Sequence, residues 1–226
     1  MDTELDNPVY HGLCSGDAHL ALGTERVKYF EEEVSPFAGF DEQYDNGFDD
    51  LGQILPAGRI VLYATRRTVG EPRNWNLLHE VKGVQFIHAN ASSLPYDKNI
   101  LVPLDANHSE EMVQLAALTK PGPFNSRTIE FGHYFGVFRD GHLVAMAGQR
   151  LHPGNYAEIS AVCTHPDYLG KGFAASLIKH QLLLIREQNR IPFLHVRADN
   201  ERAIALYERL GFTQNGNMNF YVLKRS

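Results

Sequence analysis

Cysteine is scarce in this chain of 226 residues, which contains two cysteines, and neither belongs to a recognisable metal or redox motif. Cys14 and Cys163 lie far apart and form no CxxC pair, so we expect two free thiols in a reducing, cytoplasmic environment. The eleven histidines include no HxxxH or HxxEH pair. The sequence therefore predicts no metal site.

Long apolar runs and an excess of positive charge are also missing. Runs such as residues 182–185 are far shorter than the ~20 residues that a membrane-spanning helix needs. The acidic first residues, MDTELDNP, have neither the basic start nor the apolar stretch of a secretory signal. The net charge of −6 argues against a general nucleic-acid binder. We therefore expect neither a membrane nor a nucleic acid as a partner.

The composition is that of a globular protein, with 43% hydrophobic and 21% charged residues. A polar segment at 91–98 separates two apolar parts and predicts a boundary between residues 1–95 and 99–226. Residues 1–98 contain 16 acidic and 8 basic residues, whereas the remainder contains 11 and 13. An anionic ligand is therefore expected in the second part.

Hydrophobic periodicity predicts an α/β (α+β) fold with two parts. In the first part we expect a hairpin around Gly23-Thr24, a helix over 41–55 and strands over 60–65 and 83–88, which together suggest a smaller N-terminal α/β domain. The second part predicts a mixed sheet flanked by helices. Its expected strands are 100–104, 134–138, 143–149, 156–164, 193–197, 212–214 and 219–224, and its helices are 110–118, 172–189 and 201–210. Strands 134–138 and 143–149 are expected to form a hairpin around Asp140-Gly141, and the two final strands to flank Asn215-Gly216-Asn217.

The most specific local feature is the segment from Thr164 to Ala174, in which a predicted strand ends and two glycines precede a long helix. Gly170 and Gly172 allow a ligand to approach the backbone closely, and the amides at a helix N-terminus can bind a diphosphate. The segment is neither a Walker loop nor a GxGxxG fingerprint. Taken alone, it is equally compatible with a tight turn between a strand and a helix.

A second motif follows about 30 residues later, where Asn200 to Phe212 reads NERAIALYERLGF. Together the two segments resemble the GNAT acyltransferase superfamily, whose loop is Arg/Gln-x-x-Gly-x-Gly/Ala and whose later signature is Asn-x-x-Ala-x-x-Leu-Tyr-x-x-x-Gly-Phe. The resemblance covers residues 99–226. Within the superfamily, this segment is most similar to the branch with glycine-acyltransferase-like domains. It implies a twisted mixed GNAT-type sheet and transfer of an acyl group, with acetyl-CoA or another acyl-CoA as cofactor.

The resemblance also implies which residues contact the coenzyme. Leu169 stands where the family has Arg or Gln, so a side-chain contact is lost there, and Lys171 could compensate in part. The expected coenzyme-binding residues are Val162, Cys163, Thr164, Leu169, Gly170, Lys171, Gly172, Phe173, Ala174, Asn200 and Tyr207. In this set the Val162 amide is expected to polarise the thioester carbonyl, Cys163 to be a core thiol, and Asn200 to cap a helix or contact the coenzyme.

Two residues are expected to move protons. Some family members have a catalytic Glu 11 residues before the first loop position, where this chain has Glu158. On a strand Glu158 lies roughly 13 Å from Val162, so a base at this position would act through one or two waters; a salt-bridged strand residue is the alternative. Tyr207 matches the family's tyrosine near the coenzyme sulfur and could protonate the leaving thiolate, or it could be a core aromatic residue.

These observations predict an N-acetyltransferase that acts by direct attack in a ternary complex. The expected acceptor is a small-molecule amine or a peptide amine, and the acidic first part slightly favours a cationic one. The alternatives are a non-catalytic acyl-CoA sensor and transfer to a hydroxyl, and the chain could be a monomer or a homodimer. Residues that could line the acceptor side, but could equally be core or surface residues, are Phe124, Thr128, Phe131, Tyr134, Arg150 and Tyr156.

Overall fold

The structure is a computed structural model that describes residues 3–89 and 95–226. Half of the segment predicted as a domain boundary, from residue 91 to 94, lies outside the described residues. The first elements form a small unit in which β1, β2 and β3 make an antiparallel sheet. The elements of this unit are α1 (Thr3–Asp6), α2 (Pro8–Cys14), β1 (Ala21–Gly23), β2 (Val27–Phe30), β3 (Ala38–Phe40) and α3 (Gly47–Ile54).

In the part of the chain that the structure describes after this unit, there are an eight-stranded sheet and three α-helices. The strands are β4 (Ile60–Thr65), β5 (Trp75–Ile87), β6 (Val102–Pro103), β7 (Phe135–Arg139), β8 (His142–Gln149), β9 (Tyr156–Thr164), β10 (Ile191–Arg197) and β11 (Thr213–Arg225). The helices are α4 (Ser109–Thr119), α5 (Phe173–Glu187) and α6 (Glu201–Arg209). The strand order is β4-β11-β5-β10-β9-β8-β7-β6, so the predicted mixed sheet flanked by helices is confirmed.

The position of β5 ties the two predicted parts of the chain together. β5 lies between β10 and β11 and is antiparallel to both, and β4 pairs with the other edge of β11. Both strands come from the segment predicted as an N-terminal domain. The division into residues 1–95 and 99–226 stays a prediction, but both segments contribute strands to one sheet.

The helices lie on two faces of this sheet, as alternate residues of single strands show. On β8, Met146 packs with Met112 of α4, whereas Ala145 and Ala147 pack with Phe173 and Leu177 of α5. On β10, Phe193 belongs to a core shared with α1 and α2, whereas Leu194 packs with α5 and α6. Since successive strand residues point to opposite faces, α5 and α6 cover one face, and α4 with the N-terminal unit covers the other.

Two local predictions show how far turn chemistry determines the chain path. The hairpin of β7 and β8 around Asp140-Gly141 is confirmed, with φ values of 52° and 81° at the two turn residues. The prediction of two separate final strands around Asn215-Gly216-Asn217 is wrong, because β11 runs unbroken from Thr213 to Arg225. Gly216, with φ 114°, lies in a β-bulge opposite Gln85. The chain stays extended through this bulge because β5 is a continuous partner for β11.

Candidate active site

Strands β9 and β10 pair only over their first three residues, and beyond these the sheet has an opening between them without backbone pairing. They pair in parallel only from Tyr156–Ile191 to Glu158–Phe193, after which β10 continues beside β5. On its other side β9 pairs Cys163 with Met146 and Ser160 with Gly148, so Ala161 and Val162 have no partner in that ladder. Ala161 has φ 53°, as expected for a bulge residue. The predicted thioester contact, Val162, therefore lies in the bulged stretch beside the opening.

The loop after β9 has free backbone donors. A 3₁₀ turn at Pro166–Tyr168 is followed by Gly170 and Gly172 with φ values of 78° and 81°. A Cβ at either glycine would meet no atom within 4 Å. In the described residues, none of the backbone amides from 170 to 175 donates to an acceptor of the chain. Such amides at the start of a 15-residue helix fit an anionic diphosphate.

Leu169 and Lys171 of the loop differ in the groups that they can present to a ligand. The amide of Leu169 donates to the carbonyl oxygen of Pro166 at 3.3 Å, so it is partly used within the chain, and its side chain is exposed. Lys171 is exposed, with its Nζ 4.5 Å from the centre of the Tyr168 ring. Phe173 is buried, while Thr164 and Ala174 are half-buried. The ammonium of Lys171 is thus held on the loop, where it can face an anion.

Tyr207 and Asn200 belong to α6. The Asn200 side chain accepts a hydrogen bond from the Ala203 amide at 3.1 Å, so its predicted role as helix cap is confirmed. Tyr207 is buried beside Phe86 and Phe212, and burial raises the pKa of its hydroxyl to about 12. Within the described part of the chain this hydroxyl has no hydrogen-bond partner. It is therefore a protonated donor in the same cluster as Val162.

Glu158 is buried and fully engaged by cations and donors. Nε and Nη2 of Arg150 donate to its two carboxylate oxygens at 2.8 and 2.7 Å. His195 Nδ1 lies 2.8 Å from Oε1 of the same carboxylate. Although burial acts in the opposite direction, the attraction of Arg150 and these hydrogen bonds lower the pKa of Glu158 well below its usual range. A carboxylate in this environment is a weak base, and the role of Glu158 as a catalytic base stays a prediction.

The hydrogen bonds around Gln85 identify the tautomer of His195. Gln85 Oε1 accepts from Arg66 at 2.7 Å and from Asn215 at 2.8 Å, so Nε2 of Gln85 is the donor toward His195 Nε2 at 2.9 Å. An unprotonated Nε2 leaves the proton of a neutral imidazole on Nδ1, which donates to Glu158. The pairing of His195 with Gln85 across β10 and β5 brings these residues together.

His195, Gln85 and Arg66 were not predicted as site residues. A single polar residue within an apolar strand carries no motif, and the contacts depend on the register of β5 against β10. The alternation of His195 with buried Leu194 and Val196 on β10 was the available signal for a side chain on the other face.

The residues suggested for the acceptor side have different environments. The Thr128 hydroxyl donates to the Val34 carbonyl at 2.7 Å, and Phe131 and Tyr156 belong to the core under α1 and α2. Phe124 is half-buried against Tyr134, at 5.7 Å between ring centres. Tyr134 and Arg150 are buried next to Glu158.

Cys163 has the environment of an unreactive thiol. It is buried under α4, and burial raises its pKa to about 11. Cys14, by contrast, is exposed. Among residues 3–89 and 95–226, no cluster of three or more potential metal ligands occurs. None of the helices in these described residues is both long enough and apolar enough to cross a membrane.

Comparisons with known proteins agree with this geometry. A sequence model described as the acetyltransferase (GNAT) family matches residues 104–212. N-alpha-acetyltransferase RimI of Mycobacterium tuberculosis is 32% identical over 135 residues, which are 56% of this chain and 84% of that protein. Spermidine N(1)-acetyltransferase of Vibrio cholerae is 37% identical over 70 residues, which are 28% of this chain and 40% of that protein.

One solved structure matches over the whole chain. A crystal structure of a GNAT-family protein from Novosphingobium aromaticivorans has a TM-score of 0.92 and 32% identity, with 100% of both chains covered. The finer likeness to glycine acyltransferases stays a prediction. The RimI protein and the Novosphingobium protein are both 32% identical to this chain, and the matches cover 84% and 100% of their lengths. The chain therefore belongs to the GNAT acetyltransferase family.

Proposed function

We propose that this protein transfers the acetyl group of acetyl-CoA to a primary amine, with both substrates bound in one ternary complex. The observation that carries the proposal is the run of free amides from 170 to 175, placed directly after the strand that opens away from β10. GNAT proteins use acetyl-CoA, and the relatives named above are N-acetyltransferases. Both relatives' names support an amine as the acceptor.

The loop and the opening would bind the coenzyme. The amides of Gly170 to Ala175 would hold its diphosphate, and Lys171 would add a positive charge. When bound, acetyl-CoA supplies the acetyl group as a thioester. The Val162 amide, in the bulged stretch of β9, is the donor proposed to face the carbonyl oxygen, where a fixed donor contributes about 3 kcal/mol to catalysis.

Tyr207 is proposed as the proton donor to the leaving sulfur. Its hydroxyl has no partner within the described part of the chain and lies in the cluster that contains Val162. With its pKa raised to about 12, it holds its proton throughout the neutral range. A phenol without a competing acceptor is available to donate.

Glu158 is proposed to position Arg150 and His195 rather than to take the proton of the amine. Its carboxylate already accepts three hydrogen bonds, and its pKa is lowered. The amine would then react from its neutral form, which for a pKa near 10 is about one part in a thousand at pH 7. The rate should therefore rise with pH through the neutral range.

The experiment has two stages. Calorimetry with coenzyme A alone should give binding in the micromolar range or tighter, and the loss of binding at high salt would reflect the diphosphate contact. Release of free thiol from acetyl-CoA is then measured with a panel of primary amines, including peptides with a free N-terminus. Absence of coenzyme binding would overturn the proposal at its first step.

A second function has one observation in its favour. Glu158 forms an ion pair with Arg150, which makes its carboxylate a weaker base, and a protein that only binds acyl-CoA and reports on it needs no base. Micromolar coenzyme binding without turnover of any amine would favour this sensor. Amine-dependent thiol release above the hydrolysis rate would exclude it.

A further inference from the structure

Two neighbouring side chains each have a hydrogen-bond donor that meets no acceptor among the described residues, namely the hydroxyl of Tyr134 and Nη1 of Arg150. The Tyr134 side chain is 2% exposed, and its hydroxyl has no partner. Arg150 is 8% exposed and uses Nε and Nη2 for Glu158, while no acceptor among the described residues meets its Nη1. A buried donor without a partner costs free energy, about 1–3 kcal/mol for an uncharged group, unless a ligand satisfies it.

Both residues lie behind the lining of a groove at the end of α4, Arg150 next to Gly122 and Tyr134 next to Phe124. Arg150 Nη1 is 3.9 Å from the position that a Cβ would take at Gly122, so the guanidinium faces the loop that lacks a side chain there. The ring of Tyr134 is covered edge-on by Phe124. The groove has a volume of about 380 Å³ and is lined by Val113, Ala116, Ala117, Lys120, Gly122 and Phe124.

This groove is on the correct side of the sheet for an acceptor. Tyr134 packs against Ala161 and Cys163, the two neighbours of Val162 in sequence. Tyr207 belongs to the cluster of α5 and α6, on the opposite face. An amine that enters from the groove would therefore reach the opening from the face opposite the proposed proton donor.

The charges at the groove favour a negative group. The charge of Arg150 is balanced by Glu158, and the neutral tautomer of His195 adds none. Lys120 at the rim contributes a further positive charge. Because burial keeps the pKa of Tyr134 well above its usual value, its hydroxyl stays a donor. The local charge thus opposes the acidic surface of residues 1–98, which had slightly favoured a cationic acceptor.

We propose that the acceptor amine carries a carboxylate, and that this carboxylate binds to the Tyr134 hydroxyl and to Nη1 of Arg150. The proposal rests on the proposed function and names its substrate class. It assigns Tyr134 and Arg150 as specificity residues, with Lys120 as a weaker, exposed contributor.

The test measures binding before turnover. N-acetylated glycine, alanine, leucine, phenylalanine and glutamate are each compared with the corresponding α-amide by calorimetry, in the presence of free coenzyme A. We expect at least one carboxylate to bind about tenfold tighter than its amide, since hydrogen bonds to a charged group are the stronger ones. Equal or tighter binding of the amide in every pair would overturn the proposal.

Variants connect this preference to the two donors. Tyr134→Phe should remove most of the preference for the carboxylate without lowering the melting temperature, since the hydroxyl makes no hydrogen bond within the described structure. The matched control is Tyr207→Phe, which removes a hydroxyl on the opposite face and should leave the preference unchanged. A preference that survives Tyr134→Phe at full strength contradicts the assignment.

A second pair of variants keeps the test informative if Tyr134→Phe does not fold. Arg150→Lys retains a charge toward Glu158 but removes Nη1, and it should also reduce the preference. Lys120→Gln should reduce it about twofold at low salt only, because the side chain is exposed. Unchanged preference in both variants would refute the site.

Turnover separates this proposal from the proposed function. If no free amine releases thiol from acetyl-CoA while the carboxylate preference is present, the enzyme assignment fails and the anion site stands. If amines are acetylated with no advantage for those with a carboxylate, the enzyme assignment stands and the acceptor class is wrong.

Discussion

Arg150 binds Glu158 through two parallel hydrogen bonds of 2.7 and 2.8 Å inside the protein. The Glu158 side chain is 1% exposed and that of Arg150 is 10% exposed. A charged pair with this geometry is stable only while both partners remain, since the loss of one leaves an uncompensated buried charge. The pair joins the end of β8 to β9 just before β9 leaves β10.

Glu158→Gln should therefore reduce stability as well as any activity. We expect the free energy of unfolding to fall by about 3 kcal/mol, measured by urea denaturation. The matched control is Asp199→Asn, because Arg197 binds Asp199 with the same two-bond geometry at the surface, and its loss should change little. An unchanged stability of Glu158→Gln with a selective loss of kcat would instead restore Glu158 as a base.

The same ion pair predicts a pH dependence of stability. The pKa of Glu158 is lowered in the folded state, so its contribution is fully present above the unfolded value of 4.5 and is lost as the pH falls toward the folded value. The wild-type protein should lose stability more steeply below pH 4.5 than Glu158→Gln does. Denaturation curves between pH 3 and pH 6 compare the two slopes, and equal slopes would contradict the lowered pKa.

Tyr207→Phe should slow the reaction without weakening the coenzyme complex. We expect kcat to drop about 10² to 10⁴-fold, as for the loss of a general acid, with little change in the dissociation constant of coenzyme A. The melting temperature should hardly change, because the hydroxyl has no partner within the described residues. In the wild type the acid should keep its proton throughout the neutral range, because burial raises its pKa to about 12. A variant with normal kcat would show that Tyr207 is only a core residue.

Gly172→Ala tests the loop against a control in the same conformation. Gly172 and Gly141 both have φ 81°, and a Cβ at either position would meet no atom within 4 Å. The two alanine variants should thus lose similar stability, about 1 kcal/mol, from the left-handed backbone. Coenzyme binding, measured by calorimetry, should weaken for Gly172→Ala alone. Equal affinity in both variants would argue against the loop as the diphosphate site.

Deletion of residues 1–95 should prevent folding. It removes β5, which is hydrogen-bonded to both β10 and β11, and β4, which protects the other edge of β11. We expect an aggregated product or one that lacks a cooperative transition, as judged by circular dichroism and size-exclusion chromatography. A soluble, folded and active fragment 96–226 would show that the predicted domain division is real.

The sequence predicted those features that local chemistry determines. The hairpin at Asp140-Gly141 follows from its turn residues, and the cap of α6 at Asn200 from its side chain. The loop at Gly170 and Gly172 and the position of Tyr207 came from the resemblance, which pairs two motifs at a fixed separation. These features depend on neighbours within a few residues, so a single sequence contains their signals.

The parts that the sequence missed depend on contacts between distant segments. Hydrophobic periodicity predicted a strand at 83–88. Periodicity does not indicate which strands are neighbours, so it could not predict that β5 lies between β10 and β11. His195 and Glu158 are 37 residues apart, and Arg150 meets Glu158 only because β8 and β9 are antiparallel. The motif predicted a role for Glu158 that stays a prediction, and the motif contains no information on the charged partners that determine the chemistry of this carboxylate.

The order in which the strands are made has a consequence for how the protein is synthesised. β5 ends at Ile87, whereas its two partners, β10 and β11, begin only at Ile191 and Thr213. The nascent chain must therefore keep a long unpaired strand until these distant partners have been synthesised, and an unpaired strand of this kind is exposed to aggregation. Chaperone dependence during expression, and rescue by slower translation at low temperature, should both be pronounced for this fold.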